Sequence, residues 1–149
     1  MASERPMTEP LPDLRGLHVL VIEDDEDARE VLIEVFEFAR ATVTACRDAY
    51  AGLERLDERR PDVIVCDLAL PRMDGLAFLR ALRAHPDART RRTPFIAVTA
   101  YYELYKPNEL RSMGCEAYMA KPLSLDRICG AVRKLGVLAA RQGELDTAS

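Results

Sequence analysis

The chain has 149 residues, of which 48% are hydrophobic and 31% are charged, and its formal net charge is −4. This length favours a single domain with one ordinary core. The mild acidity argues against direct nucleic-acid binding, which usually requires a basic surface. No apolar run is long enough to span a membrane, and the amino terminus lacks the apolar core of a signal peptide, so no membrane partner is expected.

The cysteines do not form a pattern typical of a zinc site or a disulfide framework. No two of them form a C-x-x-C pair, and neither histidine of the chain stands beside one. Cys66 and Cys129 fall within apolar patterns and are predicted to be small buried hydrophobic residues. A reducing cytoplasm is the expected location. The four cysteines are Cys46, Cys66, Cys115 and Cys129.

The first half of the chain alternates short apolar runs with amphipathic segments. Residues 1–14 contain Pro6, Pro10 and Pro12 and few apolar groups, which predicts a flexible tail. The run at 18–22 ends abruptly in acids and predicts a buried strand. Further elements of this half are predicted as a helix over 28–36, a strand over 42–46, a helix over 49–56 and a strand over 63–66.

The second half continues the alternation, with proline, glycine and serine at element boundaries. Pro107 suits the first turn of a short helix, and Gly114 suits its end. Ser124 can cap the last helix, whose apolar face extends to Leu135. The elements of this half are predicted at 76–82, 95–99, 107–114, 117–119 and 124–135, with a loop around 85–87.

Five alternations of an apolar strand with a helix predict an α/β fold. The continuous apolar character of the strands indicates a doubly wound parallel sheet with helices on both faces and right-handed crossovers. In such a fold, binding and catalytic sites lie outside the carboxyl ends of the strands.

Polar residues stand at four of these carboxyl ends. Glu23 and Asp24 follow the first strand, Asp67 follows the third, Thr99 ends the fourth, and Lys121 follows the fifth. We expect them to meet in one cleft. Carboxylates about 5 Å apart repel by roughly 3 kcal/mol per pair at an effective dielectric near 20. A divalent cation removes this conflict, and ligands that are all oxygen favour Mg²⁺.

This set of groups suits phosphoryl transfer. Mg²⁺ held by carboxylates also binds phosphate oxygens, and Lys121 can neutralise another such oxygen. Thr99 can donate a hydrogen bond to a third. An aspartate in this place can attack phosphorus and form an acyl phosphate.

Four stretches of the sequence resemble the receiver domain of two-component response regulators. They run from near residue 17 to near residue 135, and each lies at a strand end in the order found in that family. The stretches are VLVIEDD, VIVCDLALPRMDG, FIAVTAY and AYMAKP. The type of receiver that the chain resembles is the stand-alone, chemotaxis-regulator-like single-domain one. The resemblance implies a flavodoxin-like strand order of 2-1-3-4-5.

The resemblance also implies a role for each matching residue. Met73-Asp74-Gly75 matches the turn that opens the third helix. The implied roles are Mg²⁺ binding for Glu23, Asp24, Asp67 and the backbone carbonyl of Ala69, phosphorylation for Asp67, phosphoryl contacts for Thr99 and Lys121, and switching for Thr99 and Tyr118. Leu123 departs from the phenylalanine of many relatives, and Glu23 from the aspartate of chemotaxis-type members.

Two further clusters have open interpretations. Five arginines between residues 80 and 92 are expected to be a solvated helix face and loop rather than a binding patch. Tyr101, Tyr102 and Tyr105 follow Thr99 closely. They are as consistent with loop packing as with a partner surface, since tyrosine is enriched at interfaces.

These observations predict a phosphoacceptor response regulator that is a signalling protein rather than an enzyme acting on other substrates. The expected organisation is a tail at 1–14, a receiver domain at 15–136 and a tail at 137–149 without an output domain. The expected partners are a histidine kinase or histidine phosphotransfer protein and a downstream protein target. Alternatives are a receiver excised from a larger protein such as a hybrid histidine kinase, and a pseudo-receiver that binds a partner without phosphorylation. A phosphohydrolase is disfavoured because Ala69 stands where such enzymes place a second aspartate.

Overall fold

The computed structural model describes residues 10–148, with side chains through Gly143. Five parallel strands form one sheet in the order β2-β1-β3-β4-β5, which confirms the predicted fold. The strands are β1 His18–Ile22, β2 Thr42–Cys46, β3 Val63–Asp67, β4 Phe95–Thr99 and β5 Ala117–Ala120. The helices are α1 Glu26–Phe38, α2 Ala49–Glu58, α3 Gly75–Arg83, α4 Ala88–Arg91, α5 Pro107–Ser112 and α6 Leu125–Ala148, and a 3₁₀ turn spans Tyr102–Leu104.

The three central strands are buried at every position, as their continuous apolar sequences predict. Alternate side chains fill two cores, one beneath α2, α3 and α5 and the other beneath α1 and α6. The strand residues of the two cores are Leu20, Ile22, Ile64, Cys66, Phe95 and Ala97 on one face, and Val19, Val21, Val63, Val65, Ile96 and Val98 on the other. All four cysteines are buried and none forms a disulfide, which confirms the predicted burial of Cys66 and Cys129.

Aspartate side chains cap the amino termini of four helices. Asp25, Asp48, Asp74 and Asp87 each accept a hydrogen bond from the backbone N–H three residues later, at 2.8–2.9 Å. Such caps satisfy N–H groups that have no partner within the helix. Ser124 accepts from the N–H of Arg127 at 3.3 Å, as predicted for the last helix. These caps fix where each of these five helices starts.

Both predicted tails differ from the structure where it describes them. Leu14 is completely buried and donates its backbone N–H to the carbonyl of Ala39 at 2.8 Å, so the packed chain begins before residue 15. The predicted tail residues 1–9 and Ser149 lie outside the described residues. At the other end α6 continues through residues 137–148. Helix-forming residues continue beyond Leu135 without a proline, and the close contact of Gly136 with Leu17 and Val63 seats the helix on the sheet. Within the described part of the chain, no helix combines the length and apolar character that crossing a membrane requires.

Gly75 permits the close approach of α3 to the end of β3. A Cβ atom at this position would lie 2.6 Å from the carbonyl oxygen of Asp67 and 2.7 Å from the Cα of Leu68. Both atoms belong to the backbone and cannot move aside as a flexible side chain can. The glycine of the Met73-Asp74-Gly75 turn is therefore required by packing against the backbone that carries Asp67.

We predict that Gly75→Ala lowers the free energy of unfolding by about 1–3 kcal/mol, as overpacking of a dense core does. Gly130→Ala is the matched control, because a Cβ at Gly130, inside α6, would meet no atom within 4 Å. That control should gain about 0.5–1 kcal/mol from the better helix propensity of alanine. Urea unfolding of both variants measures the difference. A Gly75→Ala protein as stable as the Gly130→Ala protein would contradict the packing argument.

Candidate functional site

The polar residues predicted to meet at the carboxyl edge of the sheet do meet there. Glu23 follows β1 and donates its backbone N–H to the carbonyl of Cys46 at 3.0 Å. Asp67 is the last residue of β3, opposite Val98 of β4. Lys121 follows β5 and donates its backbone N–H to the carbonyl of Thr99 at 2.9 Å. Bonds that extend the sheet ladder therefore fix the backbone from which these side chains project.

Three carboxylates converge in this site. One oxygen from each of Glu23, Asp24 and Asp67 lies within 4.8 Å of the others. Glu23 and Asp67 are buried, with only 1% and 5% of their surface exposed, whereas Asp24 is exposed. The cluster thus combines two buried carboxylates with one that faces solvent. An ion can reach the buried pair from the side of the exposed carboxylate.

Lys121 is the cation that balances the buried pair. Its Nζ donates to Oε1 of Glu23 at 2.5 Å and to Oδ2 of Asp67 at 2.9 Å. Its side chain is 22% exposed. One ammonium is shared by two carboxylates, and the remaining repulsion within the cluster is not neutralised.

The protonation equilibria reflect this imbalance. Burial raises the pKa of Glu23 to about 7, the charge of Asp67 acts in the same direction, and the hydrogen bond from Lys121 opposes both. Burial alone would lower the pKa of Lys121, but its hydrogen bonds to Glu23 and Asp67 outweigh that effect and raise it. The lysine is therefore held in its charged form, while the glutamate resists ionisation.

Backbone contacts orient Asp67. Its Oδ1 accepts a hydrogen bond from the N–H of Ala69 at 2.9 Å, and its Oδ2 faces Lys121. The next residue, Leu68, donates its N–H to the carbonyl of Val98 at 3.0 Å. Ala69 is half-buried beside the cluster, and the predicted use of its carbonyl as a metal ligand stays a prediction.

Thr99 and Tyr118 stand beside the cluster in different environments. Thr99 is completely buried, and its Oγ1 accepts a hydrogen bond from the N–H of Tyr101 at 3.0 Å. Tyr118 is half-buried, its ring stacks on that of Tyr102, and its hydroxyl donates to the carbonyl of Tyr102. Of the tyrosines that follow Thr99, Tyr102 and Tyr105 both contact the ring of Tyr118, whereas Tyr101 is exposed.

Sequence reasoning missed supporting contacts of the site. Arg29 of α1 donates from Nη1 to the backbone carbonyl of Glu23 at 2.9 Å. This bond ties the loop that carries Glu23 and Asp24 to α1. Arg72, whose φ of 64° is unusual for a residue with a side chain, pairs with Asp48 at 3.0 Å and lies 5.3 Å from the ring centre of Tyr50. These pairings join residues from different elements, and no local pattern in the sequence signals them.

The donor set fits a hard divalent cation. Three carboxylates offer oxygen ligands only, which suits Mg²⁺ better than the softer transition metals. The raised pKa of Glu23 and the sharing of one ammonium by two carboxylates indicate a site short of positive charge. Glu23, Asp24 and Asp67 are therefore the residues that can hold a metal ion here.

A doubly wound sheet of order 2-1-3-4-5 with an acidic, lysine-bearing cluster at its carboxyl edge places the chain in the flavodoxin-like fold class. Residues 19–133 match the response regulator receiver domain. The chain belongs to this family.

Relatives in sequence and structure agree with the family. The chain is 31% identical over 115 residues to the polar-differentiation response regulator DivK of Brucella anthropi. The aligned residues cover 77% of this chain and 92% of that protein. It is similar in structure to the receiver domain of a sensor histidine kinase from Pseudomonas aeruginosa, with a TM-score of 0.72, 27% identity, and coverage of 81% of this chain and 98% of that one. That structure has a magnesium ion coordinated in its active site cleft. The chemotaxis protein CheY4 of Vibrio cholerae shares the fold, with a TM-score of 0.70, 21% identity, and coverage of 80% and 98%.

We predict that Lys121→Met lowers the free energy of unfolding by about 1–3 kcal/mol without metal, because it leaves buried charged acceptors without their partner. In the Glu23→Gln background the same change should cost less, since a neutral amide does not need the ammonium. Lys134→Met, at an exposed position of α6, is the control and should change stability by less than about 0.5 kcal/mol. Chemical denaturation of wild type, the three single variants and the Glu23→Gln/Lys121→Met double variant gives the coupling free energy between Lys121 and Glu23. Equal costs of Lys121→Met in both backgrounds would show that the pair carries no coupling energy.

Proposed function

We propose that this receiver accepts a phosphoryl group on Asp67 from a histidine kinase or a histidine phosphotransfer protein, in a step that depends on Mg²⁺, and that phosphorylation switches a protein-interaction surface. The observation that carries the proposal is the placement of Asp67. It is a buried carboxylate at the end of a central strand, within hydrogen-bonding distance of Lys121 and beside two further carboxylates.

The proposed transfer needs an oriented nucleophile. A carboxylate oxygen of Asp67 attacks the phosphorus of a phosphorylated histidine, and an O–P bond forms as the P–N bond breaks. The imidazole nitrogen keeps the electron pair of the broken bond and takes up a proton from solvent. The hydrogen bond from the N–H of Ala69 to Oδ1 holds the carboxylate in one orientation, which reduces the entropy lost on reaching the transition state.

The carboxylate cluster supplies the proposed Mg²⁺ ligands. Glu23, Asp24 and Asp67 would hold the ion with their side chains and Ala69 with its backbone carbonyl. When bound, Mg²⁺ supplies positive charge to phosphoryl oxygens and to the carboxylates around it. The chain's own contribution is to place three carboxylates within 4.8 Å of one another despite their repulsion.

Lys121 has a second proposed partner in the phosphorylated state. Its ammonium, now shared by Glu23 and Asp67, can turn to a phosphoryl oxygen on Asp67 with little movement. Thr99, at the end of the neighbouring strand β4, would donate its hydroxyl hydrogen to another phosphoryl oxygen. Both groups stabilise charge that the site lacks before phosphorylation.

The proposed output surface is formed by α5, β5 and α6. Movement of Thr99 toward the phosphoryl group vacates space beside β4, into which Tyr118 can rotate from β5. The exposed surface then changes near Tyr118, Pro107 and Leu110, away from the phosphoryl charge. A downstream protein that contacts this surface would distinguish the two states only by its differential contacts.

The alternatives have less support. A pseudo-receiver would not need the complete set of Glu23, Asp24, Asp67, Thr99 and Lys121, which the fold brings to one edge. A phosphohydrolase would need an acid or base at Ala69. We propose a single-domain regulator of the cytoplasm, in line with its coverage of 92% of DivK and with four buried cysteines that form no disulfide. The likeness to the receiver domain of a sensor histidine kinase is the observation that supports the alternative of a larger parent protein.

Asp67→Asn should reduce phosphorylation to background, because an amide is not a nucleophile for phosphorus, and should keep the fold, because the change is isosteric. The measurement is intact-mass spectrometry after incubation with acetyl phosphate and Mg²⁺. Asp74→Asn is the matched control, since asparagine preserves the cap of α3 and the change in charge is the same. Undiminished labelling of the Asp67→Asn protein would mean that another residue accepts the phosphoryl group.

Asp24→Asn should weaken Mg²⁺ binding by about tenfold or more, as losses around metal sites do. Without metal the variant should be at least as stable as wild type, because one repulsive charge is gone. Calorimetric titration and the rise in melting temperature with added Mg²⁺ measure both effects. Asp27→Asn removes an exposed acid from the first turn of α1 and should bind Mg²⁺ like wild type. Equal affinity in the Asp24 and Asp27 variants would remove Asp24 from the ligand set.

A further inference from the structure

The five arginines in the stretch before β4 have different surroundings. Arg83 donates hydrogen bonds to three backbone carbonyls, and Arg91 donates to two. These two side chains hold the loop that leads into β4. Arg89 and Arg92 instead line a pocket, together with Arg60 from the loop before β3. Three guanidinium groups from two separate segments of the chain therefore meet around one cavity.

This pocket lies at the opposite edge of the sheet from Asp67. Arg60 precedes the first residue of β3 and Arg92 precedes the first residue of β4, whereas Asp67 is the last residue of β3. A strand of five residues separates the two edges by roughly 17 Å. The far part of α6 forms the remaining wall through Ala139, Gln142 and Gly143. The pocket is therefore a place distinct from the carboxylate cluster.

The positive charge of the pocket is not balanced by direct ion pairs of two of its arginines. Among the residues whose side chains the structure describes, neither Arg60 nor Arg89 forms an ion pair with a carboxylate. Two acids lie on the other side of these arginines, and both have other partners. Asp57 is hydrogen-bonded to His85 at 2.9 Å, and Asp87 caps α4. A bound anion would supply the missing negative charge.

The size and shape of the pocket select the kind of anion. Its volume is about 40 Å³, which is room for roughly three water-sized groups. A Cβ atom at Gly143 would lie 2.5 Å from Nη2 of Arg89, so the missing side chain lets this guanidinium lie against the backbone of α6. Guanidinium groups bind phosphate oxygens through paired N–H donors, and several of them around one small space favour a dianion. One phosphate group meets both requirements.

We propose that this cavity, which we call the arginine pocket, binds a phosphate group through Arg60, Arg89 and Arg92. The bound group would join the loop before β3, the short helix α4 and the far part of α6. It would therefore tie the end of α6 to the rest of the domain. The proposal does not depend on phosphorylation of Asp67, because the two places lie at opposite edges of the sheet.

The test is a titration with inorganic phosphate in the absence of Mg²⁺, at constant ionic strength because salt screens such contacts. Nuclear magnetic resonance follows the Nε–H signals of the arginines and the amide of Gly143. Acetate is the control for a planar monoanion, and adenosine monophosphate presents the same phosphate group on a larger molecule. The variants Arg60→Gln and Arg89→Gln each remove one charge from the pocket. Arg80→Gln, at an exposed position of α3 that does not line the pocket, is the matched control.

We expect phosphate to shift the signals of Arg60, Arg89 and Gly143 and to bind roughly tenfold tighter than acetate, because the dianion engages more guanidinium groups. Arg60→Gln and Arg89→Gln should each weaken phosphate binding by roughly ten- to a hundredfold, as the loss of a hydrogen bond to a charged group does. Arg80→Gln should bind like wild type. Adenosine monophosphate that binds tighter than phosphate would identify a phosphate group carried on a larger molecule, and equal affinity would identify the free anion.

A second pair of variants tests the pocket without removing an arginine. Gly143→Asp places a carboxylate against Arg89 and should reduce phosphate binding by at least tenfold more than Gly143→Asn, which has the same shape without the charge. The proposal is overturned if phosphate binds no tighter than acetate, or if Arg89→Gln and Gly143→Asp both bind phosphate like their controls. Shifts confined to Lys121 and its neighbours would also overturn it, because they would place the anion at the carboxyl edge.

Discussion

The electrostatic conflict at the carboxyl edge of the sheet is the constraint on which the site depends. Glu23 and Asp67 are buried next to the exposed Asp24. The two buried carboxylates share one ammonium, that of Lys121. Burial, with the charge of Asp67 acting in the same direction, raises the pKa of Glu23 to about 7. A site in this condition gains stability from any added positive charge and from any redistribution of its one lysine. Metal binding and a change of lysine partner are therefore physically linked.

The fold holds this conflict in place because its scaffold is rigid. The central strands are buried on both faces, and the helices that follow them start at aspartate caps near the same edge. The positive ends of α1, α2 and α3 thus lie at the edge where the carboxylates gather, which moderates their repulsion. Gly75 allows α3 to start against the backbone of Asp67 itself. The free energy gained by packing the two cores offsets the free-energy cost of holding the carboxylates close together.

The region beyond β4 is built differently. β5 is only partly buried, and the 3₁₀ turn before α5 exposes Tyr102 and Leu104. Elements of low local stability are the ones that can change conformation without unfolding the domain. The chain therefore combines a rigid half, which fixes the carboxylates, with a less buried half, whose aromatic contacts can be exchanged. The hydrogen bond between Thr99 and Tyr101 joins the two halves.

The sequence by itself determined the elements and the membership of the site. Continuous apolar runs predicted the buried strands, and the acids, threonine and lysine after them predicted the residues that meet, because parallel strands end at one edge. Only the tertiary structure decided which groups pair: Lys121 bonds Glu23 across 98 positions of the chain, and Tyr118 stacks on Tyr102. The burial of Leu14 and the length of α6 also escaped prediction. Contacts between distant elements depend on packing in three dimensions, whereas periodicity records only the local face of each element.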